Sequence, residues 1–272
     1  MGRERIAALL VGPAVLFLAG FFVGPLLLNL GESLGIGRGA PGLGQYVKIL
    51  GDAYYLDVAA ATVGLSLAVT AGALVIGYPY ALLLARARGP MKTALLFLVV
   101  APLLVNVVVR TFGWMVIFGR SGALNALLGW LDLPRLDILN SWTAIWIALV
   151  HVLLPFMVLS IASTLETLDP ALEQAAATLG APPLRQFLHV VLPLSLHGVV
   201  TGALLVFALA MGSFVTVMVM GDNRTMVLPL LMYQQLTVAS DWPFAAALGM
   251  VLLAVVLAVF WLQARVTRAL AR

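Results

Sequence analysis

The chain has 272 residues, of which 63% are hydrophobic and only 10% are charged, with a formal net charge of +4. Soluble domains carry roughly 25% charged residues, so the composition excludes a soluble globular enzyme, a disordered chain and a nucleic-acid-binding domain. There is no cysteine, and therefore no disulfide framework, thiolate metal site or cysteine nucleophile.

Crossing a bilayer takes about 20 consecutive apolar residues. Runs free of Asp, Glu, Lys and Arg cover, in chain order, residues 6–31, 58–85, 93–109 with an extension beyond Arg110 to 119, 138–165, 186–221 and 242–264. These runs are continuously apolar rather than alternating, so they predict an all-α membrane protein with six transmembrane helices and not a β-barrel. Arg3 and Arg5 precede the first run, as they would in a signal peptide. The run is longer than a signal core of roughly 7–15 residues, and it ends at Leu28-Asn29-Leu30-Gly31 with no small-x-small cleavage site. It reads as a retained first helix.

The connecting segments differ in character. Residues 32–56 form a short Gly- and Tyr-containing segment, and residues 121–139 hold a helix-like piece around 123–131 before Pro134. Residues 222–241 read similarly. The expected organisation is a first helix with its outer segment (1–56), then a transmembrane domain of five core helices (57–269). With the N-terminus cytoplasmic, Arg3, Arg5, Arg86, Arg88, Lys92, Arg185, Arg265, Arg268 and Arg272 fall on the cytoplasmic side. Arg38, Lys48, Arg110, Arg120, Arg135 and Arg224 fall on the other. This bias predicts that both termini are cytoplasmic.

The loop between the fourth and fifth runs, about 166–193, is built differently. Asp169 suits an N-cap, Pro170 the first helical position, and Gly180 a left-handed stop. Between them Leu172, Ala175, Ala176 and Leu179 recur at i, i+3, i+4 and i+7, which makes one face apolar and small, while Glu173, Gln174 and Thr178 point elsewhere. The pattern predicts a short helix outside the membrane, then a redirection at Pro182-Pro183 and a second short helix leading into the fifth span. On composition alone it reads first as an ordinary surface helix packed on its own protein.

The spacing is more specific than the composition. Gln174-Ala175-Ala176, Gly180, Val190 and Leu192-Pro193 resemble the cytoplasmic signature loop of ABC importer permeases, which reads Glu-Ala-Ala, three residues, Gly, nine residues, Ile-x-Leu-Pro. Gln174 stands where that family has Glu, with Glu173 beside it. Arg110-Thr111-Phe112-Gly113-Trp114, then Gly119-Arg120-Ser121-Gly122 and Asn125, and later Asp241-Trp242-Pro243-Phe244, are similar to places in the spermidine/putrescine-type subgroup. The resemblance implies a type I importer permease fold in a bacterial inner membrane, with a coupling helix on the cytoplasmic side. It implies as partners two ATPase subunits, a second permease, identical or homologous, and a periplasmic solute-binding protein. Glu173, Gln174, Ala175, Ala176, Gly180, Leu192 and Pro193 would then serve ATPase coupling, and a polyamine would be the expected solute, with another small organic amine or an amino-acid-like compound behind it.

The chain is expected to be a transport subunit, not an enzyme, and to need no cofactor. A P-loop ends in Gly-Lys-Ser/Thr, and neither Lys48 nor Lys92 follows a glycine. Polar groups within the runs are candidates for lining a solute path: Asn106, Arg110, Trp114, His151, Ser213 and Thr216. Each has a structural alternative. On one continuous third helix starting near Met91, Arg110 lies about 28 Å along, near the outer interface, where it could snorkel. His151, Ser213, Thr216 and Asn106 could tie helices together, and Trp114, Trp142, Trp146, Trp242 and Trp261 fit interfacial belts. His189 and His197 fall near the inner end of the fifth span, and no His, Asp or Glu cluster has metal-ligand spacing. No acidic residue lies mid-span, which argues against an ion-coupled secondary carrier, and the scattered histidines argue against a membrane-embedded enzyme.

Overall fold

A computed structural model describes residues 2–36, 42–222 and 224–270. Arg38 and Arg272 of the basic tally lie outside the described residues, and for Arg3, Arg5 and Arg268 only the backbone is described. The described residues form helices α1 (Gly2–Ser33), α2 (Gly44–Gly51), α3 (Ala53–Arg86), α4 (Gly89–Leu104), α5 (Val107–Phe118), α6 (Ala123–Trp130), α7 (Trp142–Glu166), α8 (Pro170–Thr178) and α9 (Pro183–Gln186). A π-helical turn, Phe187–Val191, leads into α10 (Leu192–Met211), followed by α11 (Val215–Met220), α12 (Leu228–Thr237) and α13 (Trp242–Leu270). Among the described residues, six segments are long and apolar enough to cross a membrane: Val11–Ser33, Ala53–Arg86, Val107–Trp130, Trp142–Glu166, Pro183–Met211 and Trp242–Arg265.

The third span departs from the sequence expectation. In place of one helix running from near Met91 past Arg110, the chain makes α4, breaks at Val105 and Asn106, and restarts as α5. Three local causes coincide there. Pro102 in the last turn of α4 has no N–H to donate, and the β-branched run Val105, Val107, Val108 and Val109 disfavours continuing the old helix. The Asn106 side chain then caps the new one, accepting from Val108 N at 2.9 Å. Arg110 therefore sits in the first turn of α5 and not some 28 Å along a continuous helix.

The described chain divides into two compact units, residues 1–57 with 231–255, and residues 58–230 with 256–272. In the first, Ser33 is buried and its hydroxyl shares a hydrogen bond with Tyr46 OH at 2.7 Å. Asn29 Nδ2 donates to Ala246 O at 3.4 Å, tying α1 to α13. The Asp241-Trp242-Pro243-Phe244 sequence is a helix start: Asp241 Oδ1 accepts from Phe244 N at 3.1 Å, and Pro243 occupies the first turn, where its missing N–H costs nothing. Phe244 is buried with Tyr55 edge-on at 5.0 Å and the Lys48 ammonium 4.1 Å from its ring centre. Phe17, Phe21 and Phe22 of α1 are exposed, as suits a lipid-facing helix.

In the second unit α7 is the most buried of the spans, and α10 packs along it. Without a hydrophobic driving force between helices in lipid, close approach needs small residues. Gly198 and Gly202 of α10 lie against Ser160, Thr164 and Met157 of α7, and Ser160 Oγ donates to Gly198 O at 3.0 Å. Gly72 of α3 receives the Trp146 ring in the same way, and Trp146 Nε1 donates to Ala68 O at 2.8 Å. Buried hydroxyls complete the cross-links: Tyr78 OH with Ser195 Oγ at 2.6 Å, and Thr62 Oγ1 accepting from Leu228 N at 2.8 Å.

Candidate coupling site and transport path

At one end of the second unit stands the loop that follows α7. Asp169 caps α8, its Oδ1 accepting from Ala171 N at 2.9 Å, and Pro170 occupies the first helical position. At the other end of α8, Gly180 N donates to Ala177 O at 2.9 Å and Ala181 N donates to Ala176 O at 3.1 Å. Those two bonds with a left-handed residue between them make a Schellman stop, and Gly180 supplies the left-handed conformation at φ +80°. The sequence signals at Asp169, Pro170 and Gly180 thus each have the local structure expected of them.

The stop fixes where α8 points its side chains. Leu172, Ala175 and Leu179 are exposed, with Leu179 88% exposed, while Glu173 and Ala176 are half-covered. The helix packs on α9 and on the π-helical turn. Gln186 Nε2 donates to Ala181 O at 2.7 Å, which ties the linker between α8 and α9 to α9 itself. Val191, at the end of the π turn, is buried, and Leu192 and Pro193 open α10. The π turn was not read from the sequence, and Pro193 is its visible cause: a proline in the first turn of α10 has no N–H for the carbonyl four residues earlier, His189, to receive.

Several charged residues that the sequence reading counted only for topology belong to this site. Arg86 Nη2 meets Glu173 Oε2 at 2.8 Å, and Lys92 Nζ meets Glu166 Oε1 at 2.9 Å. Glu173 is therefore engaged by its own chain, beside a Gln174 whose position the resemblance gives to an acid. Arg86, Arg88, Glu166, Glu173 and Gln174 form the polar part of the lining of a cleft of about 450 Å³.

The candidate path residues gather around α5. Asn106, Arg110 and Trp114 follow one another at four-residue steps along that helix, with Phe118 next. Arg110 Nη1 donates to Pro102 O at 2.6 Å, placing a cation on a carbonyl at the C-terminal end of α4 and closing the break between the two helices. Trp114 Nε1 donates to His151 Nδ1 of α7 at 3.4 Å, the two rings edge-on at 5.4 Å, and Trp114 stacks on Phe118 at 4.9 Å. α11 packs against both α5 and α7. Thr216 on α11 is buried, and Ser213, at the break before α11, donates to Leu209 O at 2.9 Å. The described structure thus brings Trp114 and His151 into contact. It leaves Asn106 exposed as a cap and engages Ser213 with its own helix. His189 and His197 are both exposed.

The end of the unit away from α8 is organised by Asn125. Buried on α6, it donates to Gly119 O and Leu136 O, both at 3.0 Å, and accepts from Leu136 N at 2.8 Å. Gly122 sits under the end of α5, where an added Cβ would fall 2.3 Å from Val116 O and 2.5 Å from Ile117 O, so the turn has no room for a side chain at that position. Arg120 and Asp137 pair at 3.0 Å on its surface.

Residues 73–272 match the family described as binding-protein-dependent transport system inner membrane components. The chain is similar to the spermidine/putrescine transport system permease protein PotB of Escherichia coli strain K12, 35% identical over 229 residues and 82% of each chain. It is 37% identical over 194 residues to PotB of Haemophilus influenzae, covering 69% of this chain and 68% of that one. It is also 35% identical over 184 residues to the molybdenum transport system permease protein ModB of Mycobacterium bovis, covering 66% and 69%. Among solved structures, a bacterial ABC transporter involved in import of the acidic polysaccharide alginate has a chain that superimposes with a TM-score of 0.81 over 99% of this chain and 97% of that one, at 16% identity. A chain of the inward-facing methionine ABC transporter MetNI superimposes at 0.60 over 80% and 96%, at 18% identity. At such identities the likeness establishes the fold, that of ABC importer permeases. With the family match over most of its length, the chain belongs to the inner membrane components of binding-protein-dependent transport systems.

Proposed function

We propose that this chain is the permease subunit of an ATP-driven importer for polyamines. It works with a second permease, two ATPase subunits and a periplasmic binding protein, in a bacterial inner membrane with both termini cytoplasmic. The observation that carries the reading is α8, a capped and terminated helix outside the spans whose Leu172, Ala175 and Leu179 remain uncovered. A stable surface helix normally buries its apolar stripe. Here the stripe is free on the same end as the α3–α4 turn, and it docks in a cleft of the ATPase. Gln174 meets the ATPase as a neutral amide, and Leu192 and Pro193 relay movement of the loop into α10. The polyamine assignment rests on the kinship with PotB.

In this scheme the binding protein delivers solute to the end organised by Asn125, and closure of the ATPase pair on ATP displaces α8. Asn106, Arg110, Trp114, His151, Ser213 and Thr216 line or shape the route between paired permeases. Trp114 with its stacked Phe118 offers an aromatic face to an alkylammonium group. The spans hold no central carboxylate, so selection among solutes lies mainly with the binding protein.

Reconstituting the permease pair, ATPase and binding protein in proteoliposomes tests this. Labelled spermidine uptake should require both ATP and the binding protein. Exchanging the binding protein for one that holds molybdate should change the imported solute. Uptake that proceeds without ATP would overturn the importer reading. Import of molybdate in place of spermidine with the original binding protein would overturn the polyamine assignment.

A further inference from the structure

α8 is not held by its two chain connections alone. Arg86 is the last residue of α3, and it reaches Glu173 in the first turn of α8 across 87 positions of sequence, at 2.8 Å. Lys92, near the start of α4, reaches Glu166, the last residue of α7, at 2.9 Å. The two cations flank the α3–α4 turn, where Gly89 has φ +58°. The two acids flank the Asp169 cap. The turn is thus joined to α8 at one point and to the end of α7 at another. Between α3 and α8 lies the cleft of about 450 Å³, which the Arg86–Glu173 pair bridges.

We infer that Arg86 and Glu173 are positioning residues of the coupling machinery: their ion pair latches α8 to the α3–α4 turn, so that displacement of α8 moves α3 and α4 with it. The inference rests on the proposed docking of α8 with the ATPase. It also assigns the two adjacent positions different work, Glu173 facing inward to its own chain and Gln174 left for the partner. The pair is partly exposed, with side-chain accessibilities of 56% and 38%. Such pairs shift an equilibrium by only a small factor. The latch is therefore expected to tune the coupling ratio and not to decide whether the ATPase binds.

The test uses the complete transporter in proteoliposomes and reads solute imported per ATP hydrolysed. Arg86→Glu and Glu173→Arg each place like charges together and should lower that ratio about two- to fivefold. The double variant restores an opposite pair and should recover most of it, as should Arg86→Lys, which keeps the charge. The ATPase should still co-purify with Arg86→Glu, because Arg86 lies behind α8. An unchanged ratio in both single variants would overturn the latch. So would a double variant no better than the worse single, or loss of the ATPase from Arg86→Glu. Gly180→Val in the same preparation separates the two levels: if it too imports normally, the docking of α8 itself fails and the latch falls with it.

Discussion

Gly180→Val is expected to cut ATP-driven uptake by about tenfold or more while leaving the permease at its normal level in the membrane. The reasoning is confined to the backbone. Gly180 has φ +80°, and an added Cβ there would meet nothing within 4 Å. The Cβ of a valine therefore meets no neighbour, and the main cost is that of forcing a β-branched residue into left-handed geometry, about 1–3 kcal/mol. The loop escapes that strain by giving up the Schellman bonds from Gly180 and Ala181 to Ala177 and Ala176. The last turn of α8 then unwinds, and Leu179 leaves the face it shares with Leu172 and Ala175. Insertion depends on the apolar spans, which the substitution does not touch. Gly180→Asn should be milder, because asparagine tolerates the left-handed region best among residues with a side chain. The measurement is uptake and ATPase co-purification at matched permease level across the Asn, Ala and Val series. Equal uptake in all three would show that the loop geometry is immaterial to coupling.

Gly198→Val should do the opposite, leaving α8 intact and loosening the helix core. A Cβ at position 198 would lie 2.5 Å from Thr164 Oγ1 and 2.8 Å from Ser160 O. The hydroxyl can rotate away, but the Ser160 carbonyl belongs to the backbone of α7 and cannot. Relief requires α10 to move off α7, which strains the hydrogen bond from Ser160 Oγ to Gly198 O and opens the contact of Gly202 with Met157. Overpacking of this kind costs about 1–3 kcal/mol for a single added group, and valine adds two further methyls to the same gap. The thermal transition of the detergent-solubilised permease should fall by several degrees. Gly64→Ala on α3 is the control, since a Cβ there meets nothing within 4 Å, and its melting temperature should hold or rise by about one to three degrees. Gly180→Val should lower the melting temperature less than Gly198→Val does, because the last turn of α8 can unwind without moving a span. A Gly198→Val protein as stable as the Gly64→Ala protein would contradict the close approach of α7 and α10.

The contrast between these two glycines shows what was legible in the sequence. Gly180 could be read because its requirement is local: a capped helix start at Asp169-Pro170, an apolar stripe and a glycine directly after its last member are all within a dozen residues. The six spans could be read for a similar reason, since length and apolarity are properties of a segment alone. Gly198 could not, because what forbids a side chain there is a carbonyl on another helix. The ion pairs were hidden for the same reason. Arg86 and Glu173 are 87 positions apart, and only the packing of α3 against the loop brings them together. The break between α4 and α5 is a different failure. Residues 93–119 carry no charge apart from Arg110, so hydrophobicity runs straight through Pro102 and Asn106. Asn106 had been noted as a polar group in a span, whereas its place before Val107 is that of an N-cap.

The central claim, that the exposed face of α8 meets the ATPase, can be probed directly because the chain has no cysteine of its own. A single Leu179→Cys, labelled with a photoreactive maleimide in membranes holding the assembled transporter, should give a cross-linked adduct with the ATPase. Trp130→Cys, at the end of α6 where the native residue is 85% exposed, should give none, since the proposed topology puts it on the periplasmic side. An ATPase adduct from position 130, or none from position 179 in a transporter that is actively importing, would contradict the account.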